Sequence, residues 1–98
     1  MKYEVVFHPE ALKEYLEACN WYEQKLAGLG KRFKFFVLNQ LDLVVTIPEA
    51  YSIKKKNYRE CNVQKFPYII VYIIDEQESV ITISAIYHTS RNPAKKYR

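Results

Sequence analysis

The period of apolar and polar positions changes along the chain, and the changes mark out its elements. A short β-branched and aromatic run, KYEVVF, gives way to HPEALKEYLEACNWYEQKLAG, where apolar residues recur at Leu12, Tyr15, Leu16, Cys19, Tyr22 and Leu26. Spacings of three and four predict one face of a helix. Pro9 suits the first helical position, where its missing N–H loses nothing, and Glu10 faces the positive end of the helix dipole. Gly28 is expected to end that helix. A second helix is predicted from Gly30 to Ile47, with Phe33, Val37, Leu41, Val44 and Val45 on one side, and Pro48 stops it. The short AGLG link makes the two an antiparallel hairpin.

From Ala50 onward the pattern becomes strand-like: YSIKK, YRECNVQKF, YIIVYIID and SVITISAIYH, separated by KN, Pro67 and EQE. YIIVYII is apolar on both faces and belongs in the sheet interior. Alternation along the last strand puts Ile81, Ile83, Ala85 and Tyr87 on one face and Val80, Thr82, Ser84, Ile86 and His88 on the other. The first set suits helices packed above it, so His88 is expected on the face the helices leave open. The predicted architecture is α+β, β-α-α-β-β-β-β, a mostly antiparallel sheet with the helix hairpin on one face.

The chain has 98 residues, 49% of them hydrophobic, which fits one domain spanning residues 1–98. No apolar run is long enough to cross a bilayer, and MKYEVVFHPE lacks the pattern of a secretory signal, so a soluble cytoplasmic protein is expected. Cys19 and Cys61 have neither C-x-x-C spacing nor ligand spacing to a histidine; no metal and no cofactor are expected. Glycine-rich phosphate loops and the common hydrolase motifs are also missing from the sequence. The formal charge is +4, and the positive side is concentrated in IKKKNYR and HTSRNPAKKYR, neither of which holds an acid. That distribution admits an anionic partner.

The sequence resembles the RelE/ParE superfamily, the toxins of type II toxin–antitoxin systems, also called plasmid stabilisation proteins. EALKEYLEACNWYEQK, IPEAY, YRECNVQKFPYIIVYIID and ITISAIYHTSRNP carry the resemblance, in that order over nearly the whole chain. It implies one of two activities. RelE-like members cut mRNA in the ribosomal A site without a metal; ParE-like members poison DNA gyrase without cutting nucleic acid. The expected function is a ribosome-dependent mRNA endoribonuclease that inhibits translation, with the gyrase inhibitor as the alternative. Either way the resemblance implies a cognate antitoxin as partner, typically disordered in part when free, with an acidic and partly apolar segment suited to a basic toxin face.

RNA cleavage through the 2′-OH needs a base, cations on the scissile phosphate and an acid for the leaving oxygen. His88 is the candidate proton shuttle, although a strand-capping histidine fits the same position. Arg59 and Arg91 match places where the superfamily's ribonucleases carry phosphate-clamping arginines. Arg59 shares parity with the apolar Cys61 and Val63, so it is expected either beyond the paired strand or turned outward by a bulge. Lys54, Lys55 and Lys56 would supply cations, or would simply protect an edge strand. Tyr97 could stack on a base and Lys95 and Lys96 touch phosphates, unless the tail is frayed. His8 reads as the residue that leads into the first helix.

Overall fold

The computed structural model describes residues 3–91 and 93–98; Lys2, included in the first predicted strand, lies outside them. Strand β1 (Glu4–Phe7) leads into helices α1 (Pro9–Lys25) and α2 (Leu29–Thr46) and a single 3-10 turn at Pro48–Ala50. Strands β2 (Ile53–Lys55), β3 (Tyr58–Asn62), β4 (Tyr68–Asp75) and β5 (Val80–His88) follow. They join β1 in one sheet of order β1-β5-β4-β3-β2, in which only the β1–β5 pair is parallel. The predicted element order and mixed sheet are those observed, with β4 in the interior.

Helix α1 starts where Pro9 takes the first position and the His8 ring accepts the Glu10 N–H at 3.1 Å, as a capping side chain does. Its buried stripe is Ala11, Tyr15, Ala18 and Tyr22. Leu12, Leu16 and Leu26, which the sequence assigned to that stripe, are instead 42%, 55% and 64% exposed. Alanines at two of the four inward positions let the helix backbone sit close to the sheet, and the tyrosines fill the remaining depth. Leu12 and Leu16, each one residue on from an inward position, fall about 100° further round, and Leu26 lies past the end of the helix in extended backbone.

Lys25, not Gly28, ends α1; Gly28 has φ of 91° and turns the chain into α2. Gly30 sits so close to α1 that an added Cβ would lie 2.4 Å from the Cys19 carbonyl oxygen. The Glu23 carboxylate fixes this corner by accepting the N–H groups of Gly28 at 2.9 Å and Gly30 at 3.0 Å. Helix α2 buries Phe33, Val37, Leu41 and Val44, as its periodicity predicts, with Val45 half-buried. Each such side chain contributes about 1.5–3 kcal/mol on burial.

One residue changes the logic of β5. Val71 pairs with Ala85 while Tyr72 pairs with Ile83, so Ser84 is an extra residue without an opposite number. It forms a bulge and shifts every later side chain to the other face. Ile81, Ile83 and Ile86 pack under the helices, whereas Ala85 and Tyr87 join Val71 on the opposite face. His88 therefore lies on the helix side, edge-on to the Tyr68 ring with centroids 5.3 Å apart, and not on the open face that simple alternation assigns it.

The open face is partly covered by the C-terminal tail. Ser84 Oγ donates to the Lys96 carbonyl and accepts the Arg98 N–H, both at 2.6 Å. Arg98 reaches Glu14 of α1 at 2.9 Å. The same Glu14 accepts the Ile86 N–H at 3.0 Å, on the stretch of β5 beyond the end of β1.

Candidate functional site

The residues singled out in the sequence fall into three groups. On the open face, Tyr97 packs against Tyr58 with ring centroids 5.3 Å apart and donates its hydroxyl to Glu60 at 2.6 Å. Lys96 lies 3.5 Å from the same carboxylate and 3.2 Å from the Tyr87 hydroxyl. The Lys55 ammonium stands 5.9 Å from the centre of the Tyr97 ring. The two basic stretches thus meet here, and the tail is docked. Lys54, Lys56 and Lys95 are exposed; Lys56 occupies the β2–β3 turn with φ of 53°.

Glu60 organises this corner. Its oxygen receives a phenol and an ammonium, so it raises Tyr97 above the ordinary tyrosine range chiefly through the hydrogen bond. Lys96 is raised as well, first by its bond to Tyr87 and then by the Glu60 charge against some desolvation. Both groups are held in their protonated forms and are acids and donors, not bases.

Arg59 forms the second group. It stands in the paired part of β3, opposite Tyr72 and Ile53, on the helix side. Neither expected escape, a place beyond the pairing or an outward-turning bulge, is used. Instead its guanidinium donates to the carbonyls of Tyr51 at 2.6 Å and Glu49 at 3.3 Å, satisfying the chain as it leaves the 3-10 turn. Tyr72 supports the same segment by donating its buried hydroxyl to the Pro48 carbonyl at 2.6 Å.

His88 and Arg91 belong to the third group, at the far end of β5. The Ser90 N–H donates to His88 Nδ1 at 3.0 Å, and the Ser90 hydroxyl lies 2.8 Å from the same nitrogen. A backbone N–H can only donate, so Nδ1 uses its lone pair there and Nε2 carries the proton of the neutral ring. The Arg91 N–H closes the turn on the His88 carbonyl at 2.9 Å. These residues face a cleft of about 400 Å³ whose other wall is α1, with Glu14, Glu17 and Trp21. Burial raises the Tyr68 phenol, and the positive charge of Arg91 partly opposes this.

The open-face group and Arg59 stand on opposite faces of the sheet at neighbouring positions of β3, and His88 is further off along the helix side. Arg59 stands opposite Tyr72 and His88 opposite Tyr68. Tyr68 and Tyr72 are four steps apart along β4, roughly 13 Å. Sequence reasoning missed Glu60, Glu14, Glu17, Trp21 and Tyr68 as site residues. The acid in YRECN, on the same strand face as Tyr58, was the one available signal for Glu60. Glu14 and Glu17 had only the look of a solvated helix face. Among the described residues, no group of three or more His, Cys, Asp or Glu is placed to hold a metal ion, and no helix is long and apolar enough to cross a membrane.

The fold is similar to solved toxin structures. A chromosomal ParDE system from P. aeruginosa matches with a TM-score of 0.70 at 13% identity, covering 89% of this chain and 96% of that one. The isolated RelE toxin of E. coli matches at 0.63 and 20% identity, over 92% and 87% of the two chains. The RelE–RelB complex of Pyrococcus horikoshii matches at 0.57 and 18%, over 94% and 100%. No curated protein sequence matches. The sequence model for the ParE toxin of type II toxin–antitoxin systems, parDE, spans residues 5–93. With that match over most of its length, the chain belongs to the RelE/ParE family and is the toxin of a type II toxin–antitoxin system.

Proposed function

We propose that this toxin acts by binding its target, which the family resemblance makes DNA gyrase, and that it does not itself cut nucleic acid. One observation carries the reading: the groups that RNA cleavage would need around one phosphate are divided among three places. Arg59 is spent on backbone carbonyls, and the His88 nitrogen that would accept a proton is already taken by Ser90. A base and a phosphate clamp must sit within hydrogen-bond reach of the reacting atoms. The match to the ParE family leans the same way.

A ribosome-dependent endoribonuclease remains the second reading, because Lys55, Lys96 and Tyr97 do converge on the open face. In that reading those three residues, and not His88, Arg59 and Arg91, would handle the RNA. Both readings have the toxin working in the cytoplasm beside its antitoxin.

The deciding experiment runs purified toxin in a gyrase supercoiling assay and in primer extension on mRNA within a purified translation system. Inhibited supercoiling with intact mRNA is the expected result. Ribosome-dependent cuts that disappear in Tyr97→Phe or Lys55→Ala would overturn it.

A further inference from the structure

Helix α2 buries one face, but the face it turns to solvent is not the polar one that a surface helix normally shows. Lys31, Phe35, Leu38 and Asp42 follow one another at spacings of four, three and four, so they form a single stripe along the helix. All four are exposed, Phe35 by 61% and Leu38 by 45%. Leu16 of α1 lies on the side that Glu23 turns toward α2, and with Leu12 it widens the apolar patch across the hairpin.

The charges of α2 also run against its dipole. Lys31 and Arg32 stand in a first turn that holds no acid, and Asp42, the single acid of the helix, lies in its C-terminal half, ahead of a last turn that holds no base. Among the described residues Asp42 has no ion-pair partner. Lys31 acts on Glu23 through space, but that carboxylate is held by the Gly28 and Gly30 N–H groups.

We propose that this stripe is an interface between two copies of the chain, which pair through antiparallel α2 helices about a two-fold axis.

The stripe is its own complement. With the axis between Phe35 and Leu38, a second α2 running the opposite way sets Lys31 of each copy against Asp42 of the other, and Phe35 of each against Leu38 of the other. One set of residues thus supplies both sides, as a closed two-fold pair requires. A parallel copy would put like charges together at both ends. In the antiparallel pair the positive first turn of each helix meets the negative half of its neighbour, so a charge order that opposes the dipole within one helix suits it across two. Spacings of four and three are those by which two helices interlock at a shallow angle. A nucleic acid or an anionic surface would be drawn by Lys31 and Arg32 and opposed by Asp42 on the same stripe. The inference uses none of the groups weighed for either target, so gyrase and translation assays do not decide it.

The test is the mass of the purified intact toxin by sedimentation equilibrium over a rising concentration series. One chain is 11.7 kDa, and the expected result is a reversible rise toward twice that mass. Asp42→Lys is expected to weaken the association about tenfold, and adding Lys31→Glu to it to restore the association, because the ion pairs re-form with their signs exchanged. Asp42→Lys follows the helix dipole, so the thermal unfolding of the single chain is expected to stay level or rise, which separates a lost interface from a damaged fold. The mass of one chain up to millimolar concentration would overturn the proposal. Association that Asp42→Lys leaves unchanged, or that the double variant does not restore, would overturn it equally.

Discussion

The Tyr97 hydroxyl donates to Glu60 across 2.6 Å, and this bond joins the C-terminal tail to the middle of β3. Replacing Tyr97 with phenylalanine removes it while keeping the ring on Tyr58, and should cost about 1 kcal/mol in urea unfolding at neutral pH. The bond also has a pH window. Because Glu60 raises the Tyr97 phenol, the stabilisation is complete below the ordinary tyrosine value of about 10 and is lost as pH climbs through the raised value. Alkaline titration followed by NMR of the Tyr97 ring should show the tail leaving the sheet, and Glu60→Gln should move that step to lower pH.

Glu23 gives the opposite sign. The Gly28 N–H bond is the leading cause that lowers its carboxyl. Its contribution is present above the unfolded carboxylate value of about 4.3 and disappears as pH falls through the lowered one. Urea midpoints compared at pH 7 and pH 3 should differ less in Glu23→Gln than in the wild type; an equal difference would remove Glu23 from the acid response.

Gly30 and Gly28 separate two reasons for a glycine. Gly30→Ala drives a methyl group into the Cys19 carbonyl, backbone that cannot swing aside, and should cost about 1–3 kcal/mol. Gly28→Ala meets nothing within 4 Å and should cost only the left-handed strain, about 1–2 kcal/mol. Thermal unfolding of both variants checks the difference, and cavity-free overpacking at Gly30 should also disturb amide exchange in α1.

Arg59→Ala leaves the carbonyls of Tyr51 and Glu49 without their donor, for a loss of about 1–3 kcal/mol. Assayed well below its melting temperature, the variant should inhibit the target like the wild type. A stable Arg59→Ala protein with no activity would put the guanidinium back into the site.

Much of this architecture was legible because its signals are local. The stripe of Phe33, Val37, Leu41 and Val44 obeys the helix period, and YIIVYII could only be an inner strand. The inward face of α1 was misjudged because hydrophobicity favours leucine, while close packing on β5 favoured Ala11 and Ala18. The tail was unreadable for another reason: its partners, Glu14, Glu60 and Ser84, are far away in sequence. Arg59 had the right parity all along; what the sequence could not give was the pair of carbonyls waiting beside it.

Ser84 has a consequence for how this chain is compared with its relatives. A chain that lacks this residue presents the same side chains to the helices by unbroken alternation, whereas one that keeps it without the bulge presents the opposite set. Deleting Ser84 would leave Ile86 and His88 on the helix side and Ala85 and Tyr87 on the open face, and would remove instead the hydroxyl that holds Lys96 and Arg98, so what this one residue adds to the strand is its hold on the tail.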